Sequence, residues 1–162
     1  MRSSLIRITL VTFLFVFFIS GQLQAQKKSD GRFIAYDNGT VLDTKTGLMW
    51  AAKDNGSNID WADAKSYCEN YRGGGYTDWR MPTQDELAGL YDPNKTNRYG
   101  YHVITDLIEI TNYWAWSSEI RGSEAVAFRF RYVFGIGKAG YHRWFLQKYG
   151  FFQRALPVRS GK

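Results

Sequence analysis

The sequence predicts an α+β domain in which two helices pack on a mostly antiparallel sheet and long loops join the elements. Three observations carry this. Trp61, Ala64, Cys68 and Tyr71 recur at spacings of three and four, which places them on one face of a helix. Thr83 and Glu86 stand three apart ahead of an apolar run, the spacing of a capping box at the start of a second helix. Beyond Asp92 the apolar period falls to two, in YWAWSS from Tyr113 and AVAFRFRYVFG from Ala125, as strands with alternating faces require.

Taken in order, residues 1–25 are set apart as a secretory signal peptide. Arg2 and Arg7 give a positive start, Ile8 to Ser20 is an apolar run short for a bilayer span, and Leu23-Gln24-Ala25 offers a small-residue cleavage point. An uncleaved membrane anchor is the alternative. The remaining domain is 26–162, exported to the periplasm, the cell surface or beyond. Its polar start, Lys27 to Gly31, is expected to fray. RFIAYDNGTVLDTKTGLMWA holds two β-prone runs with turn signals at Asn38-Gly39 and Thr46-Gly47, an opening hairpin.

Asp60 is placed to cap the first helix, and Gly73 to Gly75 end it. Leu87, Leu90 and Tyr91 form the buried stripe of the second. DPNKTNRYGY is a polar, aromatic-tipped loop. In the later strands Val126, Phe128, Phe130 and Tyr132 are expected on one face, with Arg129 and Arg131 on the other. GIGKAG turns into YHRWFLQKYG, and RALPVR closes the sheet.

Composition supports one aromatic-rich core. Of 162 residues 44% are apolar, and six Trp, eleven Tyr and eleven Phe each bury roughly 150–250 Å² when packed. Cys68 is the sole cysteine, so no intrachain disulfide forms and packing must supply the stability. It reads as a small buried hydrophobe; a thiol awaiting an external partner is the other reading.

Charge is unevenly spread. Residues 26–120 hold ten basic side chains against fourteen acidic, whereas 121–162 hold nine against one. A basic final third suits an acidic glycan, a nucleic acid or an anionic surface. The plainer reading puts Arg129, Arg131, Arg143, Lys148 and Arg154 on the solvent faces of strands.

The densest run of special residues is GYTDWRMPTQDEL, residues 75–87. It follows three glycines and precedes a capped helix, so the chain must turn sharply while Trp79 points inward as an anchor. Arg80 offers a planar fork of donors, with Asp78, Asp85 and Glu86 as nearby acceptors. We expect a structural knot, not a reactive set, since no adjacent nucleophile or histidine completes one. If Arg80 is desolvated, removing its carboxylate should cost on the order of 3–5 kcal/mol.

GTVLDTKTGLMW, WADAKSYCENY, GGYTDWRMPTQDEL, YWAWSS and a terminal PVR, in this order, resemble the Lcl C-terminal domain family from about Gly39 to Arg159. The resemblance is most specific at Trp79, Arg80, Pro82, Thr83, Glu86 and Leu87. It implies a fold similar to the C-type lectin and sulfatase-modifying-factor groups, surface or periplasmic placement, and a role in adhesion or carbohydrate binding. Members often carry a second cysteine near the C-terminal VR; this chain has Pro157 there, so the partner for a bridge from Cys68 is missing.

Several chemistries find no support. His102 and His142 have no second metal ligand at a usual spacing, and no Ser-His-Asp or Cys-His set is suggested. Calcium-dependent lectins use EPN-like or QPD-like triplets with a WND-like strand, which Tyr113-Trp114-Ala115-Trp116 does not supply. Asp92-Pro93-Asn94 reads as a turn. Formylglycine-generating enzymes need two cysteines. We therefore expect no catalytic residues, no metal and no cofactor.

What remains is recognition. An aromatic ring matches the apolar face of a pyranose while polar neighbours read its hydroxyls. The ligand-binding candidates are Tyr99, Tyr101, Trp114, Glu119, Arg121 and Trp144. Trp50, Trp61, Trp79, Arg80, Pro82, Thr83, Glu86 and Trp116 are assigned to the architecture. The expected partner is a glycan or other envelope polymer, anionic by the charge argument. A protein partner in an envelope assembly is the alternative, and an enzyme with a site built from distant residues a weaker one. Nucleic acid is not expected, and membrane contact is expected only through an uncleaved leader.

Overall fold

The computed structural model describes residues 26–132 and 140–162, and these form two sheets with two helices. The first sheet has five strands in the order β1-β2-β3-β4-β9: β1 Gln26–Asp30, β2 Phe33–Tyr36, β3 Thr40–Asp43, β4 Leu48–Ala51 and β9 Val158–Ser160. All its neighbours are antiparallel. The second has four, in the order β7-β6-β5-β8: β5 Trp114–Arg121, β6 Glu124–Arg129, β7 Tyr141–Leu146 and β8 Gln153–Arg154. Only β8, alongside β5, is parallel to its neighbour. The α+β expectation stands at this level.

Where two runs are expected the chain makes three strands: the turn at Asn38-Gly39 joins β2 to β3, the turn at Thr46-Gly47 joins β3 to β4, and β1 adds beside β2. Gly39 at φ +79° makes the turn before β3, and Asn38 Oδ1 accepts from the Thr40 amide at 3.2 Å and hydroxyl at 2.7 Å. The polar start does not fray: Lys28, Ser29 and Asp30 pair with Ala35, Ile34 and Phe33. Sheet pairing here outweighs a composition that favours solvent.

Helix α1, Trp61–Asn70, begins as the sequence requires, with the Asp60 carboxylate accepting from the Asp63 amide at 2.9 Å. It buries Ala64 and Cys68 against Trp114, Trp116, Ala125 and Ala127 of the second sheet. Helix α2 is a single short piece, Gln84–Ala88, which buries Leu87; Leu90 lies beyond it in the same core and Tyr91 at its margin. Gly73–Gly75 forms a 3₁₀ turn with Gly74 at φ +68°.

The β6 alternation carries a correction. Val126, Phe128 and Phe130 are buried as expected, but Tyr132 is exposed and Arg129 is buried. The sheet is covered on both faces near β6: Phe128 packs into the cluster with Leu87 and Leu90, while Ala125 and Ala127 pack towards α1. A period-two pattern cannot distinguish a solvent face from a second buried one. Arg154 is buried for the same reason, whereas Arg131, Arg143 and Lys148 are exposed. Most of the expected GIGKAG turn falls outside the described residues. RALPVR closes both sheets, through β8 beside β5 and β9 beside β4.

Candidate functional site

The 75–87 stretch resolves into a tightly bonded corner. Trp79 is 3% exposed, its Nε1 donates to the Gly73 carbonyl at 3.1 Å, and Tyr71 meets its ring edge-on at 4.9 Å. Arg80 bridges to β9 through its backbone, with Arg80 N–Val158 O at 2.9 Å and Val158 N–Arg80 O at 3.0 Å. Its guanidinium grips Glu86 with both terminal nitrogens, at 2.8 and 2.6 Å. Glu86 also accepts from the Thr83 amide at 2.8 Å, and the Thr83 hydroxyl accepts from the Glu86 amide at 3.2 Å, which completes the capping box. Burial raises the Glu86 carboxyl pKa, but the Arg80 and Thr83 donors outweigh it and hold the group below its ordinary value.

The condition for a large cost at this corner is not met. Arg80 is not desolvated: its side chain is 45% exposed. Asp78 serves a different cation, accepting from Arg159 Nε at 2.6 Å while the Arg159 guanidinium stacks 3.9 Å from the Tyr76 ring centre. A groove of about 430 Å³ runs past Trp61, Arg80, Met81 and Thr83. The polar groups of Arg80 and Thr83 are turned to Glu86, so they do not converge on that space. Pro82 and Trp116 are buried; the Trp116 Nε1 donates to the Ile59 carbonyl at 2.9 Å and the Trp61 Nε1 to the Ser117 carbonyl at 2.8 Å. Trp50 is 1% exposed in the main core.

The ligand candidates separate into three groups. Trp114 and Glu119 belong to the scaffold. The Trp114 ring is buried, meeting Phe145 at 4.9 Å and Tyr141 at 5.8 Å, both edge-on. The alternation of β5 turns it to α1, so it offers no sugar-facing surface. Both oxygens of Glu119 accept from the Gln84 amide, at 3.0 and 3.2 Å, so its charge sits at the start of α2. Arg121 and Trp144 form a second, self-contained group: the guanidinium lies 4.4 Å from the indole centre and donates to Glu124 at 2.7 Å. Arg121 ends β5 at the opposite end from Tyr113, and Trp144 pairs with Val126 on β6.

Tyr99 and Tyr101 form the third group. Asn97 builds their loop: its side-chain oxygen accepts from the Tyr99 amide at 3.0 Å and the Tyr101 amide at 3.1 Å, across Gly100 at φ +75°. From here four rings run in sequence. Tyr99 and Tyr101 stand 6.2 Å apart at 26°, Tyr101 and Tyr113 6.3 Å apart at 50°, and Tyr113 and Phe152 5.8 Å apart at 28°. Tyr99 and Phe152 are exposed and Tyr101 is 9% exposed.

Cations border this row. Arg98 stacks 4.9 Å from the Tyr99 ring centre and donates to Glu109 at 2.8 Å, while the Tyr99 hydroxyl donates to Glu109 at 3.1 Å. Burial raises the Tyr101 hydroxyl pKa, against the opposing positive charges of Arg131 and Arg154. Arg129 lies between 5.5 and 5.7 Å from the ring centres of Tyr113, Trp114 and Tyr141. Behind the row is a buried polar anchor. Asp54 accepts from the Thr111 amide at 2.6 Å, and Arg154 donates to the Thr111 hydroxyl at 2.9 Å and to Asn58 at 2.7 Å. Desolvation of Asp54 raises its pKa despite these donors.

Beside Tyr99 a cavity of about 250 Å³ is lined by Asn97, Arg98, Asp106 and Glu109. Asp106 is shared with a polar cleft of about 490 Å³ that reaches Lys28 and Lys95. Among the described residues no group of three or more His, Cys, Asp or Glu is placed to hold a metal ion. Sequence reading missed Tyr113, Phe152 and Arg131, which join the row only through folding. The adjacent phenylalanines 151 and 152 were the available signal for Phe152.

The model of the Lcl C-terminal domain family matches residues 39–154. No curated protein and no solved structure matches.

Proposed function

We propose that this chain, which belongs to the Lcl C-terminal domain family, is an exported, non-enzymatic module that binds a glycan or other surface polymer of negative charge. The observation that carries the reading is the row Tyr99, Tyr101, Tyr113 and Phe152, whose ring centres repeat at 5.8–6.3 Å with Arg98 and Arg131 at its border. Tyr101 is buried and backs the row, so sugars would stack on the exposed rings at its two ends, Tyr99 and Phe152, while the guanidinium groups take their sulfate or carboxylate groups. The signal peptide reading of residues 1–25 supports export.

A fold of the C-type-lectin and sulfatase-modifying-factor type is part of the same reading. It is supported by two helices between β4 and β5 and by the C-terminal strand β9 returning to β4. The non-enzymatic reading is supported at the cavity floored by Trp50 and Leu48, where Asp43, Asp85 and Glu86 gather. Asp43 is held by Arg32 at 2.9 Å and Glu86 by Arg80, so two of the three carboxylates already carry a partner.

The test compares the whole protein with Arg98→Ala, Arg131→Ala and Tyr99→Ala variants for retention on immobilised dextran sulfate. Each variant should bind several-fold more weakly while keeping the parent's unfolding midpoint. Variants that bind as tightly as the parent would contradict the assignment.

A further inference from the structure

We infer that the turn at 148–152 is a bilayer-docking tip that places its rings in the headgroup region of an anionic membrane. Tyr149, Phe151 and Phe152 are 41%, 66% and 53% exposed, and Phe151 and Tyr149 take no part in the row described above. Two adjacent phenylalanines left in water are costly unless they are covered in use. Phe152 leans on Tyr113 at the end of the row, whereas among the described residues Phe151 pairs only with Tyr149, 5.9 Å away, and leaves its ring open to an apolar acceptor.

The tip is braced. A Cβ on Gly150 would stand 2.5 Å from the backbone of Ile59 and Asp60, so the turn lies directly on the chain that enters α1. The Trp61 amide donates to the Gln147 carbonyl at 2.9 Å, the Gln147 amide to the Ser123 carbonyl at 2.9 Å, and the Tyr149 amide to the Leu146 carbonyl at 2.9 Å. Exposed rings on so firmly held a backbone are presented, with little ordering left to do on binding.

Charge selects the occupant. Lys148 is exposed 5.8 Å from the Tyr149 ring centre, and Arg143 is exposed on β7, the strand that leads into the turn. Apolar Phe at the tip, amphipathic Tyr behind it and Lys beside them follow the polarity gradient of a membrane interface. Anionic lipid adds an attraction that a neutral apolar partner lacks.

The whole protein tests this, because Cys68 is fully buried with its thiol pushed up to about 12, leaving an introduced cysteine as the reactive one. An environment-sensitive dye is attached to Phe151→Cys and, as control, to Lys45→Cys on the opposite sheet. Vesicles of phosphatidylglycerol and phosphatidylcholine should shift the 151 label to the blue, with brominated acyl chains quenching it, and leave the 45 label unchanged. Phosphatidylcholine alone should give a weaker response. Adding Phe152→Ser should weaken vesicle binding on the order of tenfold. A 151 label that does not move, or two labels that move alike, would overturn the inference. A shift that grows with protein concentration without vesicles would also overturn it, assigning the tip to a second copy of the chain.

Discussion

Replacing Glu86 with Ala removes the acceptor of three hydrogen bonds, two from Arg80 at 2.6 and 2.8 Å and one from the Thr83 amide at 2.8 Å. Losing the reciprocal cap costs about 1 kcal/mol. The pair with Arg80 is bidentate, but the Arg80 side chain is 45% exposed. Its charge therefore turns to water when the partner goes, and the loss is about 1 kcal/mol, not the several expected for a buried ion. The sum is about 2 kcal/mol, read as a lower urea midpoint at unchanged slope. Glu86→Gln keeps a neutral acceptor and should lose about half as much.

The pH dependence has a fixed sign. The folded Glu86 carboxyl titrates below its ordinary 4.5, so its contribution is present above that value and disappears as pH falls through the folded one. Glu86→Gln should flatten this part of the acid limb. A Glu86→Ala loss under about 0.5 kcal/mol would refute the bonding role. A loss above about 4 kcal/mol would refute the solvent argument for Arg80.

Three further outcomes follow from the packing. Cys68 should resist thiol reagents at pH 8 in the folded protein and react fully in denaturant, since burial and the nearby Glu69 raise its pKa to about 12. Trp116→Ala should cost about 3–5 kcal/mol in a denaturant titration, by opening a cavity and orphaning the Ile59 carbonyl. Gly150→Ala should cost about 1–3 kcal/mol, because its Cβ meets the Ile59–Asp60 backbone.

Local signals were legible wherever one short segment contains the whole cause. The Asp60 cap, the Thr83–Glu86 box and the inward Trp79 each depend on neighbours within a few positions, and each was readable. Arg129, Arg154, Trp114 and Glu119 were misplaced because what covers them arrives from elsewhere. Tyr113 and Tyr141 flank Arg129, Thr111 and Asn58 hold Arg154, Phe145 covers Trp114, and Gln84 occupies Glu119. The ring row was half legible: Tyr99 and Tyr101 share a loop, whereas Tyr113 and Phe152 reach them across 12 and 51 positions of sequence.

The most direct test of polymer recognition is to compare retention of the whole protein on dextran sulfate and on neutral dextran over a series of salt concentrations. Exposed guanidinium contacts are screened over about 10 Å at 0.1 M salt, so affinity for the sulfated polymer should fall steeply as salt rises. Neutral dextran should be held weakly throughout. Equal retention on both polymers, or binding to the sulfated one that salt does not weaken, would contradict the account.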